Sequence, residues 1–215
     1  MQFGVDEAGK GPVLGSMFAA AVRADPAALP DGIDDSKNLT PTRREDLAAQ
    51  LRADERVESA VAEITTARID DPETDMNALT VAAQAEALDA VARDGDAGVV
   101  DAGDTDAARF GRRVGDRIGA DVAITAEHGA DGAHALVGAA SVLAKVARDA
   151  HVDALAADYP AYDDLGSGYP SDPATREFLR AYVADHGDLP PCARRSWSTC
   201  DDVLAAAEQA ALSEF

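Results

Sequence analysis

Two short segments place carboxylates where an unpaired charge is expensive. Asp6 and Glu7 follow the apolar stretch FGV and precede the glycine-rich turn EAGKGP, and Asp101 follows AGVV and precedes Ala-Gly. A carboxylate in an apolar setting is costly unless it is paired or coordinates a cation. Hard oxygen ligands of this kind select Mg²⁺ or Mn²⁺ over zinc. Successive strand residues point to opposite faces, so Asp6 and Glu7 coordinate together only if the strand ends or bulges between them; Gly9 and Gly11 make such an ending credible. The chain has 40 acidic residues, and an ordinary member of that set solvates the surface. The setting of these three is what singles them out. Asp131, in EHGAD, is a further candidate, with helix capping as its plain alternative. Glu127, Asp104 and Asp106 are weaker candidates on the same reasoning.

The cations are as informative as the anions. Of 19 Lys plus Arg only Lys10, Lys37 and Lys145 are lysines, and they stand in GKG, DSK and SVLAK. An ammonium meets a phosphate as a point charge, and the N–H groups of a glycine turn approach a nucleic-acid backbone closely. The plainer reading is ion pairing with neighbours such as Asp35 and Asp149. GKG is not a nucleotide-binding P-loop, because GxxxxGK[ST] is absent. Tyr169, between Gly168 and Pro170, can stack on a sugar or base, or simply pack its loop.

These residues need elements to hold them. Residues 2–6 and 13–22 read as two strands of an opening hairpin around EAGKGP. Thr40-Pro41 opens a helix, and 57–66 returns to a strand. Over 75–93 the residues Met76, Leu79, Ala83, Ala87 and Val91 share a helical face, and 97–103 is a short apolar strand. A helix over about 105–118, a strand over 121–127 and a long helix from Asp131 to about Tyr159 follow. Helices near 173–185 and from about 201 complete the chain. Strands first antiparallel and then alternating with helices predict an α/β protein with a mixed sheet. The expected division is a sheet domain over 1–159 and a C-terminal helical region over 160–215 packed on it. A ligand crevice is expected beyond the strand ends, and strands that are neighbours lie about 4.8 Å apart.

The 215 residues carry 19 basic against 40 acidic side chains, a formal charge of −21. Asp is scattered through every segment, which resembles proteins of a salt-saturated cytoplasm, where a Debye length near 3 Å at 1 M screens self-repulsion. The same screening weakens the usual objection to a polyanionic ligand. No apolar run approaches the roughly 18 residues of a membrane span and the start lacks a signal-peptide layout, so a cytoplasmic protein with no membrane partner is expected. Cys192 and Cys200 have neither zinc-ligand spacing nor the number for a disulfide framework.

Together GVDEAGKGPVLGSM, DDSKNLT, Asn77-Ala78-Leu79, VVDAGD, EHGADGAHALVGAASVLAKVARD, GSGYPSDP and RRSWST resemble ribonuclease HII of the archaeal type, in that family's order over residues 3–199. The resemblance implies a ribonuclease H-like fold with a mixed five-stranded sheet flanked by helices and a C-terminal helical appendage. It implies an endonuclease that cuts the RNA strand of RNA/DNA hybrids, and 5′ of single ribonucleotides in duplex DNA. By position Asp6, Glu7, Asp101 and Asp131 match the family's catalytic, metal-binding carboxylates. The resemblance implies that these carboxylates would hold two Mg²⁺ or Mn²⁺ ions, which in two-metal sites supply activation of water and stabilisation of the leaving 3′ oxygen, with 5′-phosphate and 3′-hydroxyl ends as the expected products.

Gly9, Lys10 and Gly11 match the turn that touches the ribose 2′-hydroxyl, with Lys10 where the family has Arg, a point charge in place of a planar fork. Tyr169 matches the tyrosine that stacks at the RNA–DNA junction. Ser36, Lys37, Asn77, Lys145 and Arg148 match positions near the nucleic-acid backbone. Gln209, Leu212 and Phe215 have the spacing of a shortened sliding-clamp motif, or simply form the apolar face of a last helix. The expected partners are RNA/DNA hybrid, ribonucleotide-containing duplex DNA and a clamp, with the protein itself a monomer. Rival readings are another two-metal nuclease of this fold, such as a type I-like hybrid nuclease or a junction resolvase, and a non-catalytic hybrid-binding module.

Overall fold

Small residues decide how closely the layers approach. The strand β2 (Met17–Ala24, MFAAAVRA) is buried along its whole length, and it pairs antiparallel with β1 (Gln2–Ala8) on one side and β3 (Glu58–Ile64) on the other. β4 (Ala97–Asp101) runs parallel to β1, and β5 (Ala123–Glu127) parallel to β4, giving the order β3-β2-β1-β4-β5. This is the mixed five-stranded α/β sheet expected from the sequence. The computed structural model describes residues 1–33 and 39–213. Among them no helix is long and apolar enough to cross a membrane.

Two compact units are present. The first comprises Met1–Lys10, Met17–Ile64 and Asp75–Arg148, the second Gly11–Ser16, Thr65–Thr74 and Asp149–Phe215. In the first, helices α1 (Pro41–Ala53), α3 (Met76–Asp89), α4 (Ala107–Gly115) and the start of α5 (Ala135–Asp158) accompany the sheet. α2 (Thr66–Ile69) lies in the second unit. Thr40 caps α1 by accepting from the Arg43 amide and Pro41 occupies its first turn, as the sequence predicts, and Asp75 caps α3 by accepting from the Ala78 amide. On one sheet face Ala20 and Val22 of β2 pack with Leu47 and Leu51 of α1 and Leu136, Ala140 and Leu143 of α5. α5 comes so near β1 that a Cβ on Gly4 would lie 2.2 Å from the Leu136 carbonyl carbon. α3 takes the other face, and Leu79, Ala83 and Ala87 of the predicted stripe are buried there.

Several boundaries differ from the sequence expectation. Residues 13–16 do not begin β2: Val13 and Leu14 belong to the apolar core of the second unit, and Leu14 bridges to Ala193. The long helix starts at Ala135 rather than Asp131, because Asp131 sits in a separate 3₁₀ turn over Ala130–Gly132. Gly129, at φ 65°, provides the left-handed turn that leads into it. The second unit is built on α6 (Pro173–His186), α7 (Ser198–Ser213) and a core including Phe178, Leu179, Val183 and Cys200.

Candidate active site

The parallel register Val5↔Val100 ends one residue before Asp6 and Asp101, so these two carboxylates stand side by side where β1 and β4 run out. Asp6 is 6% exposed and on the face covered by α5. Asp101 Oδ1 accepts from the Ala130 amide at 2.7 Å, so one acid fixes the turn that carries another, Asp131, itself 6% exposed. β1 pairs regularly with β2 through Asp6↔Ala20, Glu7↔Ala19 and Ala8↔Phe18, so no bulge separates Asp6 from Glu7. The expected break between the two acids is absent: Glu7 faces α3, where Gln84 Nε2 donates to its Oε2, and it approaches the strand ends from the face opposite Asp6, near enough for the charges of Asp6 and Asp101 to act on it.

The electrostatics follow from that packing. Burial pushes the Asp6 carboxyl well above the ordinary carboxylate range, and the nearby charges of Asp101 and Asp131 push it further. Two influences oppose this: the Glu7 amide donates to Asp6 Oδ1 at 2.8 Å, and the Ser141 hydroxyl on α5 lies near enough to favour the ionised form, although outside strict hydrogen-bond geometry. Glu7 is also raised, by burial first and then by Asp6, with Gln84 and the charge of Lys10 acting the other way. Acids held together against their own repulsion form a donor set that a hard divalent cation would relieve, and all-oxygen donors fit Mg²⁺ or Mn²⁺. Among the described residues no three Asp, Glu, His or Cys side chains already meet at metal-cage distances.

The weaker acidic candidates have structural tasks. Asp104 pairs with Arg109 at 2.6 Å, which lowers its pKa; Asp106 caps α4 by accepting from the Arg109 amide; Glu127 meets His134 at 2.9 Å. Lys10 reaches inward, donating to Asn77 Oδ1 at 3.0 Å and to the Gly103 carbonyl, and so ties the end of β1 to α3 and to the loop after β4. An open cleft of about 480 Å³ beside this contact is lined by Asp75, Met76, Asn77, Asp104, Arg109 and Arg113. Lys145 and Arg148, both half-buried, follow Ser141 at helical spacings of four and seven residues and continue its stripe along α5.

In the second unit the structure brings together Gly11 and Tyr169. A Cβ on exposed Gly11 would touch the Tyr169 ring at 3.5 Å, and the ring itself is 37% exposed. Trp197 Nε1 donates to the Gly11 carbonyl at 3.3 Å, and Arg194, fully buried, lies over the Trp197 ring and donates to the Gly15 carbonyl at 2.8 Å. At the end of α7 Gln209 is exposed and Leu212 is 72% exposed. Ser36, Lys37 and Phe215 lie outside the described residues. Gln84 and Ser141 are absent from the sequence reading; their signal was a lone polar residue inside an apolar helical run.

A family model described as ribonuclease HII matches residues 3–200. The ribonuclease HII of Haloarcula marismortui is 69% identical over the whole of both chains. The crystal structure of ribonuclease H2 from Pyrococcus horikoshii superposes with a TM-score of 0.87 at 34% identity, covering 97% of this chain and 99% of that one. The Archaeoglobus fulgidus enzyme, in a PCNA:RNase HII complex, gives a TM-score of 0.81 at 34% identity over 94% and 96% of the two chains.

Proposed function

This chain belongs to the ribonuclease HII family of endoribonucleases, and we propose that it cuts the RNA strand of RNA/DNA hybrids, and 5′ of a single ribonucleotide in duplex DNA, at the carboxylate set Asp6, Glu7, Asp101 and Asp131. The observation that carries this reading is the side-by-side placement of Asp6 and Asp101 at the ends of adjacent parallel strands, with Asp131 fastened to the second through the Ala130 amide. These carboxylates would hold Mg²⁺ or Mn²⁺, which when bound lowers the pKa of water and offsets the charge developing on the leaving 3′ oxygen. Asp6 and Asp101 are fixed by strand pairing, and Asp131 by its turn, so little reorganisation accompanies binding. The expected products are 5′-phosphate and 3′-hydroxyl ends.

Recognition of the ribose is assigned to the Gly9-Lys10-Gly11 turn and to Tyr169 by their match to the family's motifs, supported within the second unit by the exposed Tyr169 ring beside Gly11, which suits a stacked sugar or base. Asn77, Lys145 and Arg148 are assigned to the nucleic-acid backbone, as are Ser36 and Lys37 from the sequence. A sliding clamp is the proposed partner of the last residues, supported by exposed Gln209 and Leu212 and by the complex that the Archaeoglobus relative forms with PCNA.

The test is cleavage of a labelled DNA duplex carrying one ribonucleotide in molar KCl, with Mn²⁺, Mg²⁺ or chelator, beside Asp101→Asn. Metal-dependent incision on the 5′ side, lost in the variant, supports the reading. Cutting of long hybrids alone would remove the assignment of the glycine turn, and binding without cutting would favour a non-catalytic hybrid-binding module.

A further inference from the structure

Gln84 sits at the centre of α3 with no exposed surface, inside the otherwise apolar run Val81–Ala85 apart from itself. Its Nε2 donates to Glu7 Oε2 and, at 2.9 Å, to the main-chain carbonyl of Asp101. Both neighbours are acceptors, which fixes the orientation of the amide with nitrogen toward them. One side chain thus joins the strand that carries Asp6 and Glu7 to the strand that carries Asp101. The other end of the amide is unsatisfied: Oε1 is buried without a hydrogen-bond partner. A buried polar group left unpaired is a cost to the fold, so core stability alone does not favour an amide here over an apolar residue of similar size.

We propose that Gln84 is a positioning residue for the metal-binding carboxylates, holding Glu7 against the end of β4 so that the acid set is in place before a cation arrives. The proposal rests on the assignment of Glu7 and Asp101 as metal ligands. Glu7 faces α3 and Asp6 faces α5, so Glu7 lacks the contacts with α5 and the Ala130 turn that organise its neighbours. On that side the Glu7 carboxylate packs against Gly103 and is held by the hydrogen bond from Gln84. Partners of this kind, one bond removed from a metal, typically carry tenfold to hundredfold effects on metal affinity.

The experiment measures Mn²⁺ binding to the full chain by titration calorimetry in molar KCl, together with thermal melts of the metal-free protein, for wild type, Gln84→Leu and Gln84→Met. Both replacements keep the approximate volume and remove both donor bonds and the orphaned oxygen. The expected result is Mn²⁺ binding weakened by about tenfold or more in both variants, with the metal-free melting temperature unchanged or raised. Affinity within twofold of wild type in both would overturn the proposal, whatever the melting temperature does. So would a failure of both variants to melt cooperatively, since the amide would then be needed by the fold itself. If wild type shows no Mn²⁺ binding that Asp101→Asn removes, the metal-site assignment fails instead, and the two failures are told apart.

Discussion

The two ends of the β1/β4 strand pair carry buried acids that behave in opposite ways. At the starting end Asp96, 3% exposed, accepts from Arg23 Nε at 2.6 Å and pairs with the N-terminal ammonium at 2.9 Å, while Arg23 also reaches Glu58 at 2.7 Å. The Arg23 guanidinium holds the Asp96 carboxyl far below the usual carboxylate range. At the finishing end Asp6 and Glu7 are held above that range by burial and by one another's neighbours. The same strands and the same kind of side chain give opposite electrostatics, because a guanidinium and an ammonium pair directly with the acid at one end, whereas at the other burial and mutual repulsion outweigh the charge of Lys10. A fold that satisfies its buried acids at one end of two strands and leaves them repelling at the other is the arrangement expected where a charge from outside is to be received, which is what the proposed metal site requires.

The largest effect that separates the ends is catalytic. Asp6→Asn should abolish metal-dependent cleavage, a loss on the order of 10³-fold if the cation contributes several kcal/mol to the transition state. It should leave the metal-free protein as stable as wild type or more so, because it removes a buried, repelled charge. Paired kinetics and thermal melts check both halves. A large loss of stability in Asp6→Asn would break the comparison, since it would make that acid structural.

The converse substitution acts on the other end. Asp96→Ala leaves Arg23 buried with Glu58 as its remaining carboxylate, and the expected cost is roughly 3 kcal/mol, at the lower edge for breaking a buried ion pair because that second partner survives. Cleavage per folded molecule should stay at the wild-type value. Chemical denaturation read beside specific activity tests this, and a specific activity that falls in step with stability would show that the two ends are not independent.

What the sequence revealed and what it concealed divide along the same line. The acids at the end of β1 and β4 were legible as candidates because Asp6-Glu7 and Asp101 interrupt apolar and glycine-rich segments, and the cap at Thr40 because its chemistry is local. Arg23 carried a comparable signal, a guanidinium inside the apolar strand FAAAVRA, but its partner Asp96 lies 73 positions away and no local pattern joins them. Gln84 was hidden for the same reason: its meaning depends on which strand ends α3 covers. Residues 13–16 misled the reading because an apolar run that packs as a buried loop has the composition of a strand. Asp131 was legible as a candidate, whereas its 3₁₀ turn is held by a hydrogen bond from the Ala130 amide to the Asp101 carboxylate, which the parallel pairing of β4 and β5 brings together.

A smaller effect appears when pH is varied without metal. For Asp6 and Glu7 the folded-state pKa lies above the unfolded value, so their charge opposes folding increasingly as pH rises from about 4 through their raised values. For Asp96 the folded pKa is depressed, so its contribution is present above about pH 4 and is lost as pH falls through that region. The melting temperature of Asp6→Asn/Glu7→Gln should therefore match that of wild type near pH 4 and exceed it increasingly toward pH 8, with Mn²⁺ closing the gap. The gap between wild type and Asp96→Asn should run the other way, closing as the solution becomes acid. Two gaps of the same sign would remove the electrostatic contrast between the ends.

The smallest expected effect tests whether a lowered pKa by itself marks a stabilising acid. Asp54 meets Arg56 in a bidentate pair along one guanidinium edge, at 2.9 Å from Nε and 2.5 Å from Nη2, and its pKa is pushed down to about 2, chiefly by those bonds. On geometry alone the pair is as well formed as Arg23–Asp96. The difference is solvent: Arg56 has 70% of its side chain exposed, against 9% for Arg23. Water and salt reach a pair whose arginine is exposed and supply most of what the contact supplies, and the long Arg56 side chain loses freedom in forming it. Molar KCl shortens the screening length to about 3 Å, which leaves the contact little reach. Asp54→Asn should leave the melting temperature in molar KCl unchanged within error, while Asp96→Asn lowers it by several degrees in the same buffer. Equal losses in the two variants would show that pairing geometry, and not exclusion of solvent, separates the stabilising acids of this sheet from the rest.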